Sequence, residues 1–127
     1  MLEHWTKFEG SSISARRRQI RISLGDKKDF IFNPGAYEAL GEPEAVEMYF
    51  DEMSKRIGFK KCDPTLPNAF HLVKRHHSRF HQISAATFCN RFGIRAHRRV
   101  TFEGAYVNAE GILVVDLKKT VIATRAK

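Results

Sequence analysis

The chain has 127 residues, 43% hydrophobic and 28% charged, with two cysteines; this is the make-up of one globular domain able to bury a core without metals or disulfides. It excludes a collagen-like or low-complexity polymer, and no apolar run reaches the ~18–20 residues of a membrane span, so a cytoplasmic location and no membrane partner are expected. The 22 basic and 14 acidic side chains give a formal charge of +8 that is unevenly placed: residues 1–63 carry 11 of each sign, residues 64–127 carry 11 basic and 3 acidic, and no carboxylate lies between Asp63 and Glu103.

Residues 1–17 read as a flexible N-terminal arm in which Trp5 and Phe8 are able to pack back on the body of the protein. Residues 18–62 form a first unit. Ile20, Ile22 and Leu24 alternate with Arg21 and Ser23, the period-2 pattern of a strand with one buried face. Gly25-Asp26-Lys27-Lys28 is turn chemistry, and Phe30 and Phe32 resume the alternation. Asn33-Pro34 predicts an N-cap followed by proline at the first helical position, with Tyr37 and Leu40 on one helical face and Gly41 as the stop. Val46, Met48 and Phe50 then predict a strand, and Ile57 and Phe59 its returning partner.

After a stiff linker, residues 63–68, with prolines at 64 and 67, the same grammar returns over residues 69–117. Phe70 and Leu72 head a strand, Arg75 to Ser78 form a turn, and Phe80 and Ile83 belong to the next strand. Ser84 takes the capping place of Asn33, Phe88 and Phe92 those of Tyr37 and Leu40, and Gly93 that of Gly41. Val100 and Phe102 answer Val46 and Met48, and Gly111 to Val115 answer Arg56 to Lys60. Residues 118–127 read as a C-terminal extension in which Val121 and Ile122 prolong the last strand. Each half is too small to bury its own apolar face, so one shared core is expected.

The order of elements in residues 20–61, carried by Ile31-Phe32, Ala36 to Gly41, Ala45 to Asp51 and Ile57 to Lys60, resembles the AbrB/MazE/MraZ swapped-hairpin DNA-binding domains. Residues 69–117 share the resemblance only through their likeness to the first half. The resemblance implies an α+β, β-rich fold, with two ββαββ units fused into one small swapped-hairpin-like barrel. Because members of the family dimerise, two copies in one chain imply a pseudo-dimer able to fold as a monomer. It also implies DNA binding through basic residues on the first hairpin and at the helix start. The sequence departs from the pattern where the family often carries an Arg pair in the helix, since Tyr37 and Glu38 stand there in the first half and Cys89 and Asn90 in the second.

The candidate nucleic-acid contacts are Arg16, Arg17 and Arg18 before the first strand and Lys27 and Lys28 in the first turn. Lys74, Arg75 and Arg79 flank the second turn, and Arg91, Arg95, Arg98 and Arg99 surround the second helix. Their chemistry suits contact with the phosphates of a polyanion, and the resemblance makes duplex DNA the expected partner and a transcriptional or nucleoid-type regulator the expected function. A protein-interaction module such as an antitoxin and an RNA-binding module are the alternatives. His71, His76, His77 and His81 lie within eleven residues, and a hairpin bringing His71 near His81 is the one arrangement that invites a metal. No zinc-ligand spacing completes it, so neither metal nor cofactor is expected. Ser84, Cys89 and His97 are available as nucleophile or base, but without a carboxylate nearby in sequence or any catalytic motif, so no enzymatic activity is expected. Most of the ten Phe residues read as core, Phe80 beside Arg79 and His81 being the one kept as a stacking surface for bases.

Overall fold

Strand alternation at Ile22 and Leu24, and again at Phe30 and Phe32, builds the first hairpin of the computed structural model, which describes residues 19–122 together with His4 and Thr6. Arg16, Arg17 and Arg18, Trp5 and Phe8, the remainder of the expected N-terminal arm and residues 123–127 lie outside the described residues. Strands β1 (Ile22–Leu24) and β2 (Asp29–Phe32) pair antiparallel with Ile22 opposite Phe32 and Leu24 opposite Phe30, which turns all four side chains to one buried face. Asn33 then caps helix α1 (Pro34–Ala39). Its Oδ1 accepts from the backbone N–H groups of Ala36 (2.8 Å) and Arg21 (2.9 Å), and its Nδ2 donates to the Gln19 carbonyl (2.7 Å). Gly41 follows the helix at φ +87°, the left-handed conformation that glycine adopts without strain. β3 (Ala45–Asp51) and β4 (Arg56–Cys62) form the second hairpin, with Met48 opposite Phe59 and Tyr49 opposite Gly58.

The second half runs β5 (Phe70–His71), β6 (Val73–Lys74), β7 (His81–Ser84), α2 (Ala86–Phe92), β8 (Val100–Phe102), β9 (Tyr106–Val107), β10 (Ile112–Asp116) and β11 (Thr120–Ile122). All strands pair antiparallel, in a six-stranded sheet ordered β11-β8-β1-β2-β7-β6 and a five-stranded sheet ordered β5-β3-β4-β10-β9. Each sheet joins the two halves, through β2·β7 in one and β4·β10 in the other. Phe30 and Phe32 of the first sheet meet Phe59 of the second edge-on, with ring centroids 5.3 and 5.0 Å apart, a geometry that adds ~0.5–1.5 kcal/mol per pair beyond area burial. Ile83, Phe88, Cys89, Phe102, Leu113 and Val115 from residues 69–117 belong to the same core.

The fold is thus α+β and β-rich, with two helices and two open sheets, and the expected closed barrel is corrected to a pair of facing sheets. The edge strands β11 and β6 of one sheet make no ladder with β5 and β9 of the other, so neither sheet closes on itself or on its neighbour. The Phe rings hold the sheets at side-chain distance, and the chain leaves one sheet for the other at Leu72, whose N–H bonds the Glu44 carbonyl.

Four local expectations are corrected with it. Val100 and Phe102 do not take the place of Val46 and Met48: β8 pairs with β1 in the six-stranded sheet, and β9 occupies the position beside β10. Ser84 pairs with Asp29 inside β7, so Ala85 starts α2 without a side-chain cap. Phe80 precedes β7 and does not lie in it, the inward places on that strand falling to His81 and Ile83, opposite Phe32 and Phe30, while its 39% exposure agrees with its being kept out of the core. Val121 and Ile122 do not prolong β10, since the chain turns after Asp116 and lays β11 against β8. Gly93 ends α2 at φ +68°, as its glycine predicts. No described helix is long and apolar enough to cross a membrane.

Candidate nucleic-acid interface

The two basic turns lie at opposite ends of the β2·β7 pair. Asp29, which leaves the first turn, is opposite Ser84, whereas Phe32, which enters α1, is opposite His81, which leaves the second turn. Each turn therefore meets the helix of the other half, and the two resulting surfaces differ in charge.

At the first turn, Lys28 donates its ammonium to Asn90 Oδ1 on α2, and its carbonyl accepts from the Ala85 N–H at 2.9 Å. Lys28 holds φ +64°, a left-handed backbone that costs a β-carbon residue on the order of 1–2 kcal/mol and that glycine would take freely. The loop after α2 is anchored here as well. Arg99 donates to Asp29 Oδ2 at 2.7 Å and to Ser23 Oγ at 2.8 Å, which fastens it across β1 and β2. Gly25 makes room for that guanidinium: a β-carbon on residue 25 would run into the Arg99 guanidinium and lie 2.6 Å from Asp29 Oδ1. Arg99, expected to contact phosphate, is thus half-buried and committed within the fold. Its neighbours Arg95 and Arg98 are exposed, as are Lys27 and Arg91, and the Arg91 guanidinium lies 5.5 Å from the centre of the Phe92 ring. None of Lys27, Lys28, Arg91, Arg95 and Arg98 forms an ion pair with another described residue. Asp26 is the carboxylate of the turn, and α2 and the 93–99 loop contain none. Cys89, on the buried side of α2, has its thiol pushed up to about 11 by burial, with Lys28 opposing, and serves as core.

At the second turn, Lys74, Arg75, His76, His77 and Arg79 are exposed, and Arg75 donates to Gln82 Oε1 at 2.7 Å. Here the carboxylate-free run of sequence is not carboxylate-free in space. Glu38 and Glu42 of α1 and the turn after it line the same groove as Lys74 and Arg79. The Tyr37 and His81 rings stack in that groove, 3.6 Å between centroids and 13° from parallel. Burial, followed by the nearby Lys74 charge, lowers the His81 pKa from its ordinary 6.5, with Glu42 opposing. His71, by contrast, lies in β5 of the other sheet, so the pairing of His71 with His81 does not arise. No described residues gather three or more His, Cys, Asp or Glu side chains around a metal-sized site.

Sequence reasoning missed Asn90 as the partner of Lys28, 62 residues away, and the neutralising role of Glu38 and Glu42. Neither leaves a signal in local pattern, because both arise from the cross-pairing of the halves. Comparisons with protein-family models, with curated proteins and with solved structures found no match to this chain.

Proposed function

We propose that this protein binds duplex DNA through the cationic surface where the first turn meets α2, as a transcriptional or nucleoid-type regulator of swapped-hairpin type. The observation that carries the reading is the Lys28–Asn90 contact together with the Arg99–Asp29 anchor. These bring Lys27, Lys28, Arg91, Arg95 and Arg98 together from three separate segments. The crossing of each hairpin turn onto the helix of the opposite half supports the swapped-hairpin part of the reading. Ammonium and guanidinium groups dock on phosphates, and base reading falls to whichever arginine enters the major groove.

The test is a fluorescence-anisotropy titration against random duplex DNA, duplex RNA and single strands at several salt concentrations. Duplex DNA is expected to bind tightest, with log K falling as log salt rises by about 0.9 per phosphate neutralised. Lys27→Ala and Arg98→Ala should each weaken binding uniformly across sequences and flatten that slope. Tighter binding to single strands or duplex RNA, or no change in these variants, overturns the reading.

A further inference from the structure

The outer face of the five-stranded sheet carries a feature that DNA docking leaves unused. Pairing places Tyr49 of β3 opposite Gly58 of β4, Gly58 opposite Val114 of β10, and Val114 opposite Tyr106 of β9. These four residues therefore form one straight row across the sheet, on the side away from Phe59 and Leu113. Both tyrosines are 47% exposed, and they wall a groove of about 310 Å3. Its floor is smooth because Gly58 has no side chain: a β-carbon there would come within 2.8 Å of Ile112 Cγ2, so Ile112 lies over the glycine and extends the apolar floor beside Val114. Three strand spacings of ~4.8 Å put the two tyrosine Cα atoms roughly 14 Å apart.

The rim carries no excess of positive charge, unlike either basic turn. Arg56 is shared with Asp116 at 3.7 Å, the Tyr49 hydroxyl donates to Glu47 Oε1 at 3.0 Å, and Lys60 is paired in register with Glu47. A polyanion gains nothing on such a surface, and the carboxylates of Glu47 and Asp51 repel phosphate. What the groove offers is two aromatic walls, an apolar floor and hydrogen-bond donors. Asn108 spends its Oδ1 on the N–H groups of Glu110 (2.8 Å) and Ile112 (3.0 Å), which leaves its amide N–H2 to donate. The Tyr106 hydroxyl has no partner among the described residues.

We infer that this row is a docking site for a proline-rich, polyproline II segment of a partner protein. Such a segment is uncharged, packs its rings between aromatic side chains, and presents backbone carbonyls that have no internal partners and need donors from the receptor. Its rise of ~3.1 Å per residue lets about five residues span the two tyrosines, and its preformed shape lowers the ordering cost of binding on a shallow groove.

The experiment is a titration of the full chain with a fluorescein-labelled decaproline peptide, read by anisotropy at low and high salt. Saturable, salt-insensitive binding is expected, weakened at least about tenfold in Tyr49→Ala and in Tyr106→Ala, as for the loss of an aromatic anchor. Val114→Lys, which raises a charge from the floor and leaves both tyrosines in place, should weaken it as well. Circular dichroism and the urea midpoint verify that each variant folds, and duplex-DNA binding should be unchanged in all three. Absence of peptide binding, or binding indifferent to both tyrosines, overturns the inference. So does oligothymidylate binding that the tyrosine variants abolish, which marks a base-stacking platform, and so does a doubled solution mass that they halve, which marks a site for a second copy of the chain.

Discussion

Residue 25 illustrates how one side chain's needs are met by another's absence. Gly25 is required because the Arg99 guanidinium fills the space a β-carbon would take while it bonds Asp29 and Ser23. Gly25→Ala must therefore displace the ion pair or the turn, at a cost of about 1–3 kcal/mol, the range for leaving a partly buried charged hydrogen bond broken. Urea unfolding is expected to show this cost in the wild-type background and a smaller one with Arg99→Ala already present; equal costs in both would mean that the turn, and not the guanidinium, needs the glycine. His81 gives a second prediction. Its pKa is lowered in the fold by burial and by Lys74, so between that value and ~6.5 the unfolded chain binds more protons than the folded one. The stability contributed by neutral His81 is complete above ~6.5 and is lost as the pH falls through this window. His81→Phe keeps a ring against Tyr37 and removes the titratable imidazole, whose buried Nδ1 has no hydrogen-bond partner. Thermal midpoints between pH 7.5 and 5.5 should fall less steeply in this variant than in the wild type; parallel curves would assign the pH dependence to other groups.

Among the elements, those whose residues speak to near neighbours were legible in the sequence. Alternation placed Ile22, Leu24, Phe30, Phe32, Ile57 and Phe59 inward, and Asn33-Pro34 announced α1. What alternation does not encode is which sheet a strand joins. Val100 and Phe102 have the same pattern as Val46 and Met48, yet β8 adds to β1, since nothing within three residues distinguishes one edge from another. Phe80 was set inside a strand that begins one residue later, because an aromatic side chain favours a strand without marking where it starts; its exposure agrees with the reading that kept it out of the core. The two helix starts differ in strength. α1 is tied by three hydrogen bonds from the Asn33 side chain, two of which reach back to residues 19 and 21, while α2 starts at Ala85 with none. Asn33→Ala should cost more than an ordinary lost cap, roughly 2–3 kcal/mol in a urea titration, because it also releases the chain entering β1. A loss near 1 kcal/mol would show that the cap alone matters.

For the whole molecule, the near-repeat of the chain produces two basic turns that are equivalent in topology and unequal in charge. The linear sequence suggested that residues 64–102, free of carboxylates, would dominate any contact with a polyanion. Folding reverses part of this, because the second turn is laid beside Glu38 and Glu42 of the acid-rich half, while the first is laid beside α2, which has no carboxylate. If duplex DNA docks on the first turn, the Glu38 and Glu42 charges hold the backbone away from the second, where Lys74 and Arg79 already stand exposed. Replacing both glutamates by glutamine should then convert the second turn into a phosphate-binding surface. Affinity for random duplex DNA is expected to rise several-fold, and the salt slope to steepen by about 0.9 for each additional phosphate engaged. Both gains should disappear when Lys74 and Arg79 are also changed to alanine, since the glutamates act by screening these cations. An anisotropy titration in which the double glutamine variant matches the wild type in affinity and slope would mean that DNA never approaches this end of the sheet, and that the placement of the two turns confines docking to the first on geometry alone.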